Sequence, residues 1–323
     1  MARILSGIQP SGTFHIGNYF AMMKPMIEFQ REHELFCFLA NYHAMTTIQK
    51  ALELESYTIE AAMDFLALGL DPEKSHFWVQ SDVPEVTELT WILSCHTSLG
   101  LLERSHSFKD KVARGIVPNS GLYIYPILMA ADILIFKSDI VPVGKDQKQH
   151  LEITRDIATR FNNTYGEIFT VPDPKIEDEI AVIPGTDGQK MSKSYGNTIG
   201  MFEDEKTLKK KVMRIVTDST PVEDPKDPEK CSIFALYRLF ADADQTRSMK
   251  EKYLKGGTGY GEVKKELAEL MWKHFEPFRK KRLELEKDRG EVASILKKGA
   301  DKAREKAVKT LDEVKKAVGL IYS

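Results

Sequence analysis

Apolar positions in the first 185 residues follow two rhythms. Brief runs rich in β-branched and aromatic residues, Ile4–Ile8, Leu35–Leu39, Phe77–Gln80 and Ile140–Val143, read as strands. Between them, near 17–31, 51–68, 84–98, 121–136 and 145–162, apolar residues recur at helical spacing. The stretch near 51–68 carries Leu52, Leu54, Tyr57, Ile59, Ala61, Ala62, Phe65, Leu66 and Leu68, too broad a set for a thin stripe, and predicts a well-buried helix. Strand–helix alternation predicts an α/β fold, a Rossmann-like doubly wound parallel sheet that takes a nucleotide at the carboxyl ends of its strands.

Past about Ser194 the rhythm changes. Segments 203–218, 232–255 and 261–289 are helical in pattern, with no convincing strand. Asp224-Pro225-Lys226-Asp227-Pro228 and the glycine-rich run Gly256–Gly261 punctuate them. A last helix over about 291–318 aligns Val292, Ile295, Ala303, Ala307, Leu311, Val314 and Val318, a stripe expected to pack against the body of the protein. The expected organisation is a Rossmann-like catalytic domain over 1–185, a helical C-terminal domain over 186–290 and a returning helix over 291–323.

Composition adds bounds. With 42% hydrophobic and 29% charged residues in 323, the chain reads as a soluble globular protein of one large or two ordinary domains. No apolar run approaches the roughly 20 residues that span a bilayer, so no membrane association is expected. The N-terminal Met1-Ala2-Arg3-Ile4-Leu5 enters a strand directly, without the apolar region of a signal peptide. Cys37, Cys95 and Cys231 form neither a Cys-x-x-Cys pair nor a disulfide framework, which points to a reducing, cytoplasmic setting and to no protein-held metal. The net charge of −2 advertises no nucleic acid, but from Lys264 onward 17 Lys and Arg stand against 11 Asp and Glu. That basic region reads either as a solvated helix surface or as an attraction for RNA phosphates.

Two short stretches carry phosphate chemistry. Ser6-Gly7-Ile8-Gln9-Pro10-Ser11-Gly12 follows the first strand and leads into Thr13-Phe14-His15-Ile16-Gly17-Asn18. Backbone N–H groups at such a strand–turn–helix passage suit phosphate. His15 and Asn18, three apart at the helix start, present donors on one side, and Gly17 leaves room for a flat base. The segment is neither a dinucleotide fingerprint nor a P-loop. Past mid-chain, Lys190-Met191-Ser192-Lys193-Ser194 sits in a Gly/Ser-rich loop with Gly185, Gly188 and Gly196 around it. When a carboxylate attacks the α-phosphorus of ATP, charge gathers on the departing pyrophosphate, and two positioned ammonium groups lower that barrier. A flexible loop lets them arrive with ATP and leave with product.

Between these stretches, Tyr125, Met129 and Asp132 fall on one helical face within Tyr123–Asp132. Asp132 interrupts an apolar run, and a carboxylate buried there needs a donor. An indole N–H, which donates and does not accept, fits that need, with Met129 and Tyr125 as walls for a flat ring. A strand then ends at Gly144 and a helix begins at Asp146, which suits an N-cap.

His15-Ile16-Gly17-Asn18 resembles the HIGH motif, and Lys190–Ser194 the KMSKS motif, of class I aminoacyl-tRNA synthetases. Asn at the fourth HIGH position is the usual form in the tryptophanyl branch of that family. Tyr125-Pro126-x-x-Met129-Ala130-Ala131-Asp132 and Val141-Pro142-Val143-Gly144-x-Asp146-Gln147-Lys148-Gln149-His150 are similar to the same branch. The resemblance runs through nearly the whole chain. It implies ATP contacts from Gln9, Pro10, Ser11, Gly17, Asn18, Gly144, Lys145, Asp146, Ile183, Lys190, Met191, Ser192, Lys193 and Ser194. It implies catalytic roles for His15, Asn18, Lys190 and Lys193, with Lys111 as a third lysine contact. It places tryptophan against Asp132, Tyr125, Met129, Gln147, His43, Val141 and Val143. It further implies ATP taken with Mg²⁺, tRNA(Trp) as partner and a homodimer. The stretch Ile183–Gln189 is shorter than in many bacterial members. A tyrosine-specific ligase and, more distantly, a small-molecule nucleotidyltransferase remain alternative readings.

Overall fold

The computed structural model describes residues 1–103, 115, 119–144, 147–176 and 182–322. Five parallel strands form one sheet: β1 (Arg3–Ile8), β2 (Glu34–Leu39), β3 (Ser75–Val79), β4 (Ile140–Val143) and β5 (Asp173–Ile176). Their order is β3-β2-β1-β4-β5, so the chain winds outward from β1 and then returns to its other side. That reversal between β1 and β4 is the switch point of a doubly wound sheet. β5 was not among the expected strands. Asp173-Pro174-Lys175-Ile176 has no apolar run to announce it, and it lies at the sheet edge, where proline and charge are tolerated.

The residues divide into two compact units. The first comprises 1–12, 26–178 and 285–323 and contains the sheet. Its first three strands, β1 to β3, are buried on both faces, as a helix-covered parallel sheet requires. Phe38 stacks on Trp78 (5.4 Å), whose edge meets Phe136 (5.1 Å). The Ala51–Ala67 helix is buried only in its second half, against the expectation of burial throughout. Ala61–Ala67 is an unbroken buried run, whereas Leu52 is 81% exposed because Glu53, Glu55 and Ser56 hold the first turns at the surface.

The long Arg289–Ala317 helix packs on β3. Gly299 permits this, since a Cβ there would come within 1.8 Å of the Phe77 carbonyl oxygen. Val292, Ala303, Ala307, Leu311 and Val314 are buried as the stripe predicts, with Leu296 deeper than Ile295. Polar clamps flank the stripe: Arg304 Nε and Nη2 reach Glu85 at 3.0 and 2.7 Å, and Lys306 Nζ reaches Glu34 at 2.8 Å.

The second unit comprises 13–25 and 179–284. Two helices expected as single pieces are broken. Asp242 and Gln245 form a reciprocal capping box that starts a new helix, Ala243–Lys255, after Ser232–Phe240. Pro277 sits in the first turn of Glu276–Lys287, where its missing N–H costs nothing, and separates it from Tyr260–His274. Tyr19, from the π-turn Tyr19–Met23, meets Phe275 edge-on (5.2 Å), and Phe20 meets Phe240 (5.0 Å). Among the described residues no helix is long and apolar enough to cross a membrane.

Candidate active site

The polar centre of the first unit is Asp132, on the Ser120–Leu134 helix that Asn119 caps through a 2.8 Å bond from the Leu122 N–H. Its carboxyl is only 3% exposed. His43 Nε2 lies 2.9 Å from Oδ2, and Gln80 Nε2 lies 2.8 Å from both Oδ1 and Oδ2. Gln80 follows the last residue of β3 and is 1% exposed; its Oε1 accepts the Tyr42 N–H at 3.0 Å, which turns its NH₂ toward Asp132. His43 comes from the short Asn41–Ala44 turn after β2. Burial holds the Asp132 carboxyl pKa above its ordinary value, against the opposing pull of the His43 bond and charge and the Gln80 bond.

The other residues expected around the ring lie in the same unit. The Tyr125 hydroxyl bonds to His150 Nε2, and the Tyr125 and His43 rings meet edge to face at 6.2 Å. Val141 is buried; Met129 and Val143 are half-buried and pack against the core, and Gln147 is half-buried. The Gln147 N–H closes a turn onto the Gly144 carbonyl (2.9 Å). After β1, Gln9 and Ser11 are exposed, Pro10 is buried, and Gly12 adopts φ +110°, which a side chain would strain. Lys111, Lys145 and Asp146 lie outside the described residues.

The second unit brings His15, Asn18 and the Lys190 loop together. His15 and Asn18 do not simply project side by side; they cap each other. The Asn18 N–H donates to His15 Nδ1 (3.4 Å), and the His15 N–H donates to Asn18 Oδ1 (3.1 Å). With Nδ1 accepting, a neutral His15 carries its proton on Nε2, and Asn18 keeps its NH₂ as donor. Burial, and then the Lys193 ammonium, lower the His15 pKa to about 4, so the ring is neutral near pH 7. Lys193 is exposed as a residue, yet its Nζ lies 5.5 Å from the Phe14 ring centroid and partial desolvation lowers its pKa. Lys190 is exposed.

Backbone bonds join the two stretches. Ile16 N–H donates to Ile199 O (2.9 Å), and His15 pairs antiparallel with Gly200. A Cβ on Gly17 would meet the His15 ring at 2.9 Å and Met191 Cβ at 3.3 Å, so glycine lets the turn and the loop approach. The loop is a small antiparallel turn: Pro184 pairs with Lys190, and the Met191 N–H donates to the Ile183 carbonyl at 2.8 Å. Ile183 and Met191 are buried, while Ser192 and Ser194 share a 2.9 Å hydroxyl bond.

The model of the family described as class I tRNA synthetases (W and Y) matches residues 1–276. The chain belongs to this family. It is similar to the tryptophan–tRNA ligase of Fusobacterium nucleatum, at 54% identity over 322 residues and 99% of each chain. It is similar to that of Campylobacter jejuni at 53% over 318 residues, 98% of this chain and 100% of the relative. The crystal structure of the Campylobacter jejuni tryptophanyl-tRNA synthetase complexed with ADP and tryptophan superposes with a TM-score of 0.93 at 53% identity, covering 98% of this chain and 99% of that one.

In this class I synthetase, two organising residues escaped the sequence. Gln80 ends a predicted strand and carried no other signal. Asn197, 2% exposed, holds the lysine loop: its Oδ1 accepts the Ser192 N–H (2.8 Å), and its Nδ2 donates to Asp187 (2.7 Å) and the Lys190 carbonyl (3.1 Å). Gly185 makes room for it, since a Cβ there would lie 2.4 Å from the Asn197 amide. Only the setting of Asn197 among Tyr195, Gly196 and Thr198 hinted at a turn residue.

Proposed function

We propose that this protein activates tryptophan with ATP and transfers it to tRNA(Trp). Identity of 53–54% to tryptophan–tRNA ligases along nearly the whole of both chains carries the reading. The buried Asp132 acceptor, set in a helix with Tyr125 and Met129, supports it chemically.

Tryptophan donates its indole N–H to Asp132, with Tyr125, Met129, Val141, Val143, His43 and Gln147 around it. Its carboxylate oxygen attacks the α-phosphorus of ATP; the bond to the bridging oxygen breaks, and pyrophosphate leaves with the electron pair. Gln9, Pro10, Ser11 and Gly17 receive ATP through the turn after β1, and Gly144, Lys145, Asp146 and Ile183 complete its binding. The neutral His15 donates from Nε2 and Asn18 from its amide. Lys190 and Lys193, presented by Met191, Ser192 and Ser194, stabilise the leaving charge, and Lys111 adds a third cation. ATP enters as its Mg²⁺ complex, which neutralises phosphate charge. No side chain serves as nucleophile, so catalysis is positioning and charge stabilisation. The tRNA 3′-terminal hydroxyl then attacks the acyl carbon and AMP departs. The helical second unit contributes to tRNA binding, and the protein works as a cytoplasmic homodimer.

Charging of a tRNA(Trp) transcript with labelled tryptophan and ATP tests this. Tryptophan-dependent charging is expected. Charging with tyrosine instead, or adenylyl transfer to a metabolite without charging, overturns it.

A further inference from the structure

The Asp132 carboxylate offers about four acceptor positions in all. Gln80 Nε2, equidistant at 2.8 Å from both oxygens, occupies the notch between them. His43 occupies a further position on Oδ2. What remains lies on Oδ1. The Gln80 amide has no freedom to flip, because turning it would set its carbonyl against the carboxylate and its NH₂ against the Tyr42 N–H, which it now accepts at 3.0 Å. Both residues are closed off from water, Gln80 at 1% and Asp132 at 3% exposed, so neither can trade this bond for a solvent one.

We infer that Gln80 is a positioning residue that sets the site's demand for a ring donor: it holds Asp132 as a pure acceptor with its open position on Oδ1. This deepens, and rests on, the tryptophan reading above. An ionised Asp132 held this way accepts one N–H and has no proton to offer. A protonated Asp132 would donate as well, and would take a ligand that has no hydrogen to give. Gln80 therefore selects for a ring that donates, as an indole N–H does, and against a ring with no hydrogen to give, such as an N-methylated indole.

The experiment is ATP–pyrophosphate exchange with the full-length protein, with tryptophan and 1-methyltryptophan as substrates, from pH 5.5 to 9. Gln80→Met removes the NH₂ and keeps the volume. It is expected to raise the tryptophan KM about 10- to 100-fold, the range for losing a buried hydrogen bond to a charge, while kcat changes much less. Its preference for tryptophan over 1-methyltryptophan shrinks, and its tryptophan KM rises toward acid pH earlier than in the unmodified protein. Gln80→Glu, nearly isosteric, places two carboxylates in one notch that share a proton, and adds an inflection to the KM–pH profile that the unmodified protein lacks.

Either variant with the unmodified protein's KM, preference and pH profile overturns the inference. So does a variant that loses kcat and KM together at every pH with the preference intact, since that is a folding defect alone. If Gln80→Met does not fold, the profile of Gln80→Glu decides. If the unmodified protein itself shows no tryptophan-dependent exchange, the tryptophan reading fails instead, and the two failures are told apart.

Discussion

The two polar centres of this protein are built on opposite plans. Around Asp132, both hydrogen-bond partners are buried and set by regular structure: Gln80 at the end of β3 and His43 after β2. Around Lys190 and Lys193, exposed residues lie on a turn, and the buried parts are backbone, Ile183, Met191 and Asn197. A rigid dry cluster suits recognition of a flat ring through one donated hydrogen bond. Cations on a pinned turn suit a charge that exists only while pyrophosphate leaves. On the proposed function, specificity and rate are expected to separate by mutation.

The largest effect tests the rate side. Lys190→Ala and Lys193→Ala should each lower the kcat of tryptophan-dependent exchange about 100- to 1,000-fold, the usual cost of a lost transition-state charge contact. The tryptophan KM should change little; a KM change with kcat preserved would reverse the division drawn here.

Asp132→Ala should raise the tryptophan KM by about 10- to 100-fold and also strand the Gln80 and His43 donors, lowering stability by about 1–3 kcal/mol. Isothermal titration with tryptophan and a thermal melt check both; unchanged titration would remove Asp132 from the pocket.

Asn197→Ala removes three loop bonds without touching a lysine. Exchange should slow by about tenfold, from a net worth near 1 kcal/mol per bond spread over a partly retained loop. Pre-steady-state adenylate formation would show it, and a normal rate would mean that the loop needs no such anchor.

The smallest effect is a pH dependence. The folded His15 pKa, about 4, lies below its ordinary 6.5. Between these values the unfolded chain binds a proton that the folded chain refuses, so stability falls as pH drops through that window and is whole above it. Urea midpoints at pH 7 and pH 4.5 should therefore converge in His15→Gln relative to the unmodified protein, and an equal pH response in both would refute the placement.

Much of this division was legible in the sequence. β1 to β4 stood out because buried parallel strands are nearly continuous apolar runs. Asp132 stood out because an acid interrupts such a run, and the family follows from His15–Asn18 and Lys190–Ser194. What was hidden has a common cause. β5 is an edge strand with a proline and charges, so it carries no core pattern. Gln80 and Asn197 act through hydrogen bonds to residues 52 and 5 positions away, and polar residues have no periodicity to betray their partners. The mutual cap of His15 and Asn18 was not legible because helix spacing gives the side but not the partner. Pro277 did mark the break before Glu276–Lys287, and the helical pattern across it masked the signal.

The central claim is that Asp132 and its partners choose tryptophan while the lysine turn serves whichever amino acid is chosen. ATP–pyrophosphate exchange by the unmodified protein, run in parallel with tryptophan and tyrosine at matched concentrations, tests it most directly. Rapid exchange with tryptophan and none above background with tyrosine is expected; comparable exchange with tyrosine would overturn this division.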